Sequence, residues 1–136
     1  MVGLYPGTFD LCHAGHVLSF EEAKGACDRL IVALQHDPSV DRDDKKSPIM
    51  SIDERRIILA AIRHIDEVVE YGTEADLVGL VRRLKPDVYF AGADWKEKRF
   101  SAQDACEELG IRVRYLSRNH HYSSSELRAR IARKGA

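Results

Sequence analysis

Short apolar runs alternate with amphipathic segments along the whole chain of 136 residues. The apolar runs are rich in Val, Ile, Leu and aromatic residues and predict strands. They cover residues 2–5, 29–34, 67–70, 87–91 and 112–116. The segments between them are polar on one side and predict helices. They cover residues 16–26, 52–64, 74–84, 102–109 and 124–133.

Five strands that alternate with helices indicate an α/β fold with a parallel sheet and helices on both faces. Local signals agree, since Ser51 and Ser123 each precede a glutamate by three residues, as in a capping box, and Gly110 follows a predicted helix. We therefore expect a single Rossmann-like domain that spans residues 1–136. Right-handed crossovers bring the carboxyl ends of all strands to one edge of the sheet. The segments that follow the strands should converge there.

The longest irregular stretch is residues 36–50, which follow the second predicted strand and are rich in Asp and Lys. Such a stretch is either a solvated surface loop or a lid over a site. Because it leaves a strand end at the edge where the other segments converge, the lid is favoured.

Composition narrows the class of protein. Hydrophobic residues make up 44% of the chain and charged residues 32%, as in soluble globular proteins. The formal net charge of −1 gives no field that attracts nucleic acid or an anionic membrane. No apolar segment is as long as a membrane-spanning helix, and no leader of secretory type is visible, so a cytoplasmic location is expected.

The three cysteines, Cys12, Cys27 and Cys106, are odd in number and widely spaced, which favours neither a disulfide framework nor a zinc knuckle. Cys12 stands beside two histidines, His13 and His16. No second cluster with ligand spacing completes a zinc site. We therefore expect no metal that is held by side chains alone.

The strongest chemical signal is the decapeptide of residues 7–16, which follows the first strand and opens the first helix. A strand, a glycine-bearing turn and a helix together make backbone N–H groups face an anion. His13 and His16 are three residues apart and lie on one side of the first helical turn. Donors so placed suit phosphoryl or nucleotidyl transfer, whose transition state spreads negative charge over oxygens.

The decapeptide resembles the signature of the nucleotidyltransferase superfamily with the His-x-Gly-His motif, and above all its cytidylyltransferase branch (glycerol-3-phosphate cytidylyltransferase-like). Three more landmarks recur in the same order: Glu54-Arg55-Arg56, Gly92-Ala93-Asp94-Trp95, and Arg118 followed by Ser123-Ser124-Ser125. The resemblance covers nearly the whole chain. It implies transfer of CMP from CTP to a small phosphorylated or phosphonate alcohol, with release of pyrophosphate and without a covalent intermediate.

The resemblance also implies roles for individual residues. Catalysis is expected of His13, His16 and Lys46. The nucleotide is expected to contact Gly7, Thr8, Phe9, Gly15, Gly92, Asp94, Trp95, Arg118, Ser123, Ser124 and Ser125. The acceptor is expected to contact Asp10 and Arg55. Mg²⁺ is expected to arrive with the nucleoside triphosphate, and the resemblance implies a homodimer whose partners are otherwise small-molecule substrates.

Several of these roles have simpler alternatives. The alternative for Lys46 is an ordinary surface lysine in a charged loop. Arg55 pairs either with a substrate phosphate or with a carboxylate on its helix, such as Asp53. Trp95 either fills a core or walls the base, and its charged neighbours favour the base. Ser123 caps a helix in either case.

The chain departs from the family pattern at two places. Residues 119–122 are Asn-His-His-Tyr, and the two histidines, His120 and His121, are either exposed to solvent or add a donor to phosphate. Asp44 and Leu77 stand where glycerol-3-phosphate enzymes carry acceptor-contacting lysines, which argues against that acceptor.

Two other functions remain open. Within the superfamily, the alternative is adenylyl transfer from ATP, as in heptose-phosphate, flavin or pantetheine-phosphate adenylyltransferases, although the Gly-x-Asp-Trp segment at residues 92–95 favours CTP. From a different class, the alternative is a nucleotide sensor without turnover. The intact His13, His16 and Lys46 argue against a sensor.

Overall fold

Five parallel strands form one sheet in the computed structural model, which describes residues 1–135. They are β1 (Val2–Gly7), β2 (Arg29–Gln35), β3 (Glu67–Tyr71), β4 (Val88–Ala91) and β5 (Arg112–Tyr115). The strand order is β3-β2-β1-β4-β5, and every neighbouring pair is parallel. The predicted five-stranded parallel sheet is confirmed.

Helices connect the strands. They are α1 (Ala14–Gly25), α2 (Ile52–Ala60), α3 (Glu74–Leu84), α4 (Gln103–Leu109) and α5 (Ser124–Gly135). The prediction for α2 was too long, because the chain turns after Ala60 and Ile62 and Ile65 pack against the core from those turns. Short 3-10 helices, Pro38–Val40 and Ala93–Trp95, lie in the loop after β2 and in the segment after β4. No helix within residues 1–135 is long and apolar enough to cross a membrane.

The sheet is buried on both faces. Leu4 and Tyr89 pack in one apolar cluster with residues of α3 and α4. Their strand neighbours Tyr5 and Phe90 pack in a second cluster with residues of α1 and α2. Because successive strand residues point to opposite faces, a strand buried on both sides reads as an unbroken apolar run. The predicted helices on both faces are confirmed.

The order of the strands fixes where a ligand can bind. The chain runs outward from β1 to β2 and β3, then crosses to β4 on the other side of β1. In open α/β sheets, ligands bind outside the carboxyl ends of the strands at such a reversal. The histidine-bearing turn follows β1, and Gly92 follows β4, so both flank this crevice.

The two outer strands of the sheet carry charged side chains. On β3, Glu67 pairs with Arg29, and Glu70 accepts hydrogen bonds from Arg56. On β5 the sequence is Arg-Val-Arg-Tyr, with both arginines exposed. Both edges of the sheet are therefore polar.

Candidate active site

The first turn of α1 is built from the two histidines of the motif. His13 is the N-cap, and its Nδ1 accepts the backbone N–H of Gly15 at 3.0 Å. In return, Nδ1 of His16 accepts the backbone N–H of His13 at 3.1 Å. This is the reciprocal geometry of a capping box, made here by imidazoles instead of a hydroxyl and a carboxylate. The helix therefore begins two residues before the predicted start at residue 16.

These hydrogen bonds fix the tautomer of both rings. An Nδ1 that accepts an N–H carries no proton, so the neutral ring holds its proton on Nε2. The Nε2–H of His13 and that of His16 are thus the donors that each ring can offer a ligand. The ring centroids lie 4.0 Å apart, close enough for both donors to reach one phosphate group.

Burial keeps the two rings neutral. It lowers the pKa of His13, and the nearby His120 and Arg118 lower it further. Burial, followed by the proximity of His13, lowers the pKa of His16 to about 4. At pH 7 the site therefore presents neutral donors, which stabilise charge on a phosphate without transferring a proton.

The low pKa of His16 predicts how stability depends on pH. The unfolded chain binds a proton at His16 near pH 6.5, whereas the folded chain does so only near pH 4. The free energy of unfolding should therefore fall as the pH drops through this window. We expect His16→Gln to show a smaller fall than the wild type when urea unfolding is measured at pH 7 and pH 5. An equal fall in both proteins would contradict the burial of a neutral His16.

The turn before the histidines is tightly folded. Phe9 and Leu11 have φ of 51°, in the left-handed region that side chains rarely adopt. The buried ring of Phe9 packs edge-on against the imidazole of His16, with ring centroids 5.8 Å apart. A Cβ on Gly7 would lie 2.7 Å from the Phe9 ring, so this glycine makes room for an aromatic ring. Its predicted contact with the nucleotide stays a prediction, as do those of Phe9 and Thr8.

Asp10 ties this turn to the loop of residues 36–50. Its two carboxylate oxygens accept the backbone N–H groups of Ile49 and Met50 at 2.7 and 2.9 Å. The guanidinium of Arg128 lies 3.9 Å from the carboxylate of Asp10. Asp10 thus anchors the end of the loop beside the motif, and its predicted contact with the acceptor stays a prediction.

Arg55 is held by backbone groups of its own chain. Its side chain is 2% exposed and donates hydrogen bonds to the backbone carbonyls of four residues. These are Thr8, Gln35, His36 and Met50, at 2.5 to 3.1 Å. These backbone carbonyls, and not the carboxylate of Asp53, are its hydrogen-bond partners, and its predicted contact with the acceptor stays a prediction. Arg55 is a positioning residue that holds together the chain after β1, the end of β2 and the start of α2.

Side-chain hydrogen bonds hold the loop of residues 36–50 at more than one position. Asp37 accepts hydrogen bonds from Ser39 and Ser47, and Asp41 accepts the backbone N–H of Glu74. Lys46 is exposed on this loop, and its predicted role in catalysis stays a prediction.

Trp95 links the loop to the segment after β4. Its ring is half-buried against the core and lies edge-on to Phe100, with ring centroids 6.4 Å apart. The guanidinium carbon of Arg42 lies 5.2 Å from its centroid and the ammonium of Lys98 5.0 Å away, within cation–π range. Trp95 therefore packs partly on the core, and its predicted contact with the base stays a prediction.

The segments after β4 and β5 also meet. Asp94 lies 3.6 Å from Arg118, and both side chains are largely exposed. Ser123 caps α5 by accepting the backbone N–H of Glu126 at 3.0 Å, as its spacing predicted. Ser124 lies 3.5 Å from the backbone carbonyl of Asp10, at the limit of a hydrogen bond, next to the first motif. The predicted convergence at one edge is confirmed, while the ligand contacts of these residues, Ser125 and Gly92 stay predictions.

Sequence reasoning missed one further anchor. The carboxylate of Glu22 accepts hydrogen bonds from the N–H and the hydroxyl of Ser117, at 2.6 to 3.1 Å, and so binds α1 to the segment after β5. The two residues are 95 positions apart, and no local pattern connects them.

Within residues 1–135, no cluster of three or more His, Cys, Asp or Glu side chains is placed to hold a metal ion.

Two neutral imidazole donors at the strand-order reversal, with an arginine and serine hydroxyls nearby, define a nucleotide-binding α/β domain of the nucleotidyltransferase class. A family model described as cytidylyltransferase-like matches residues 4–130. The chain belongs to this family.

Named relatives agree with this assignment. The chain is 39% identical, over 99% of its length, to the bifunctional protein HldE of Gluconacetobacter diazotrophicus, and 38% identical, over 85%, to that of Granulibacter bethesdensis. It spans 28% and 24% of these two proteins, about a quarter of their length. A solved structure of a lipopolysaccharide core biosynthesis protein from Thermoplasma volcanium is 28% identical, with a TM-score of 0.74, and the match covers 88% of this chain and 98% of that one.

Proposed function

We propose that this nucleotidyltransferase transfers AMP from ATP to a phosphorylated sugar and releases pyrophosphate. The observation that carries the proposal is the pair of imidazoles whose Nε2–H donors are fixed side by side at the start of α1. An oxygen of the acceptor phosphate attacks the α-phosphorus and forms the new O–P bond. The bond from that phosphorus to the bridging oxygen breaks, and pyrophosphate leaves with the electron pair. His13 and His16 donate hydrogen bonds to the oxygens on which charge develops.

The remaining residues have supporting roles in this proposal. Lys46, Arg118 and the hydroxyls of residues 123–125 neutralise or bind the triphosphate, which arrives with Mg²⁺ as the substrate complex. Asp10 accepts a hydrogen bond from a hydroxyl of the acceptor. The acceptor attacks directly, so no covalent intermediate forms, and no strong general base is needed because an acceptor phosphate is already an anion at pH 7.

The choice of ATP over CTP rests on two arguments. Cytosine was favoured by Asp94 and Trp95, but Asp94 is paired with Arg118, and the ring of Trp95 is packed on the core and flanked by cations. Those contacts weaken the case for a cytosine pocket. The relatives supply the second argument, because the matching domain of HldE uses ATP and adenylyl transfer to heptose phosphate is one of the activities of the superfamily.

We expect ATP to stabilise the chain against heat more than CTP, GTP or UTP does at equal concentration with Mg²⁺. A ligand that binds only the native state at about 100 times its Kd adds about 2.7 kcal/mol to the free energy of unfolding. Thermal melts should therefore separate the four nucleotides by several degrees. Trp95, the only tryptophan in the sequence, provides a second readout by fluorescence.

Pyrophosphate release over a panel of sugar phosphates and phosphorylated alcohols completes this test. Release from ATP with a sugar phosphate supports the proposal. Stronger stabilisation by CTP, with release from CTP alone, would restore cytidylyl transfer as the activity. Binding of a nucleotide without release from any of the four would make the chain a sensor.

A further inference from the structure

A third imidazole stands beside the two of the motif. His120 lies on the segment between β5 and α5 and is half-buried. A Cβ on Gly15 would lie 2.7 Å from Cε1 of His120 and 2.8 Å from Cε1 of His13. The two rings therefore meet over the same glycine, at the first turn of α1. His13, in turn, lies 4.0 Å from His16, between centroids, so it neighbours both other imidazoles.

His120 is oriented in the same manner as the other two. Its Nδ1 accepts the backbone N–H of Tyr122 at 3.2 Å. Its ring is stacked on that of Tyr122, with centroids 5.4 Å apart and planes inclined by 26°. Because Nδ1 is an acceptor, the neutral ring carries its proton on Nε2. Three side chains from two distant parts of the sequence thus offer the same kind of donor at one place.

We propose that His120 is a third phosphate donor, which binds the pyrophosphate portion of the nucleotide beside the group held by His13 and His16. This inference rests on the proposed function. In the transfer step, the leaving pyrophosphate takes the electron pair of the broken P–O bond, and the Nε2–H of His120 donates a hydrogen bond to it without giving up the proton. His120 lies two residues after Arg118 and three before Ser123, so one segment supplies all of these groups.

Pyrophosphate with Mg²⁺ is the probe that tests the proposal, by titration calorimetry of the chain. His120→Ala should weaken its binding by about tenfold to a hundredfold, the usual effect of losing a hydrogen bond to a charged group. His121→Ala is the matched control, because His121 is the exposed neighbour and should bind pyrophosphate within twofold of wild type. His120→Gln should recover part of the affinity, since its amide both accepts from Tyr122 and donates.

The outcomes separate this proposal from the previous one. Wild-type affinity in His120→Ala, an equal loss in His121→Ala, or no pyrophosphate binding by the wild type would overturn the role of His120. If His120→Ala does not fold, His120→Leu replaces it, because leucine fills the space of the ring without a donor. Wild-type affinity in a folded His120→Leu would overturn the proposal. Pyrophosphate binding that depends on His120, without turnover of any nucleotide, would refute the proposed transfer and leave the phosphate site standing.

Discussion

Replacing His16 by glutamine should lower kcat by about 100- to 1,000-fold, the usual effect of losing one preorganised donor to a developing oxyanion. Glutamine at the third position of a helix still accepts the N–H of the N-cap residue, so the capping box and the fold should persist. The donor geometry does not persist, because the amide is not held as the imidazole is. Nucleotide affinity should change far less than kcat, since the contact strengthens only as charge develops.

The measurement is pyrophosphate release at saturating nucleotide and acceptor, with the Kd of the nucleotide determined separately. His13→Ser, which keeps a side-chain N-cap, should show a loss of similar size. His64→Gln is the control, because His64 lies in the turns after α2 and next to Glu21, outside the site. Wild-type kcat in both His13→Ser and His16→Gln, or an equal loss in His64→Gln, would contradict the catalytic role.

Replacing Arg55 by methionine should destabilise the fold by about 3 kcal/mol or more. The change removes hydrogen bonds to four backbone carbonyls in a site that is 2% exposed, and each unsatisfied buried acceptor costs about 1–3 kcal/mol before relaxation. Lysine should not rescue the loss, because one ammonium with three donors cannot replace a planar guanidinium at four acceptors. The free energy of unfolding in urea measures the effect.

The neighbouring Arg56 offers a matched control. Its guanidinium pairs with Asp53 and Glu70 on the surface, where solvent screens the charges and ion pairs add little stability. Arg56→Met should therefore lower stability far less than Arg55→Met. Equal effects at both positions would mean that the buried carbonyl contacts of Arg55 are not what stabilises this corner of the fold.

The inner strands β1, β2 and β4 could be predicted from sequence because they are buried on both faces. Such strands stand out as continuous apolar runs, and each predicted strand lies within two residues of the observed bounds. The start of α1 was placed late for a definite reason. Caps are recognised by Ser, Thr, Asp or Asn, whereas here a histidine is the cap.

The site was predictable in its location but not in its internal contacts. Motifs that follow parallel strands must meet at one edge, so the order of the landmarks was enough to place them. The partners of Arg55 are backbone carbonyls up to 47 positions away, and a carbonyl leaves no trace in the identity of its residue. The same holds for His120, whose neighbour across the site is a glycine more than a hundred positions earlier.

The charged outer strands have a consequence for self-association. An unpaired strand edge can add strands from other molecules, and charged side chains there oppose such growth into open-ended aggregates. Glu67 and Glu70 lie on one edge and Arg112 and Arg114 on the other, so pairing of either edge with the same edge of a second molecule would place like charges opposite each other and is disfavoured.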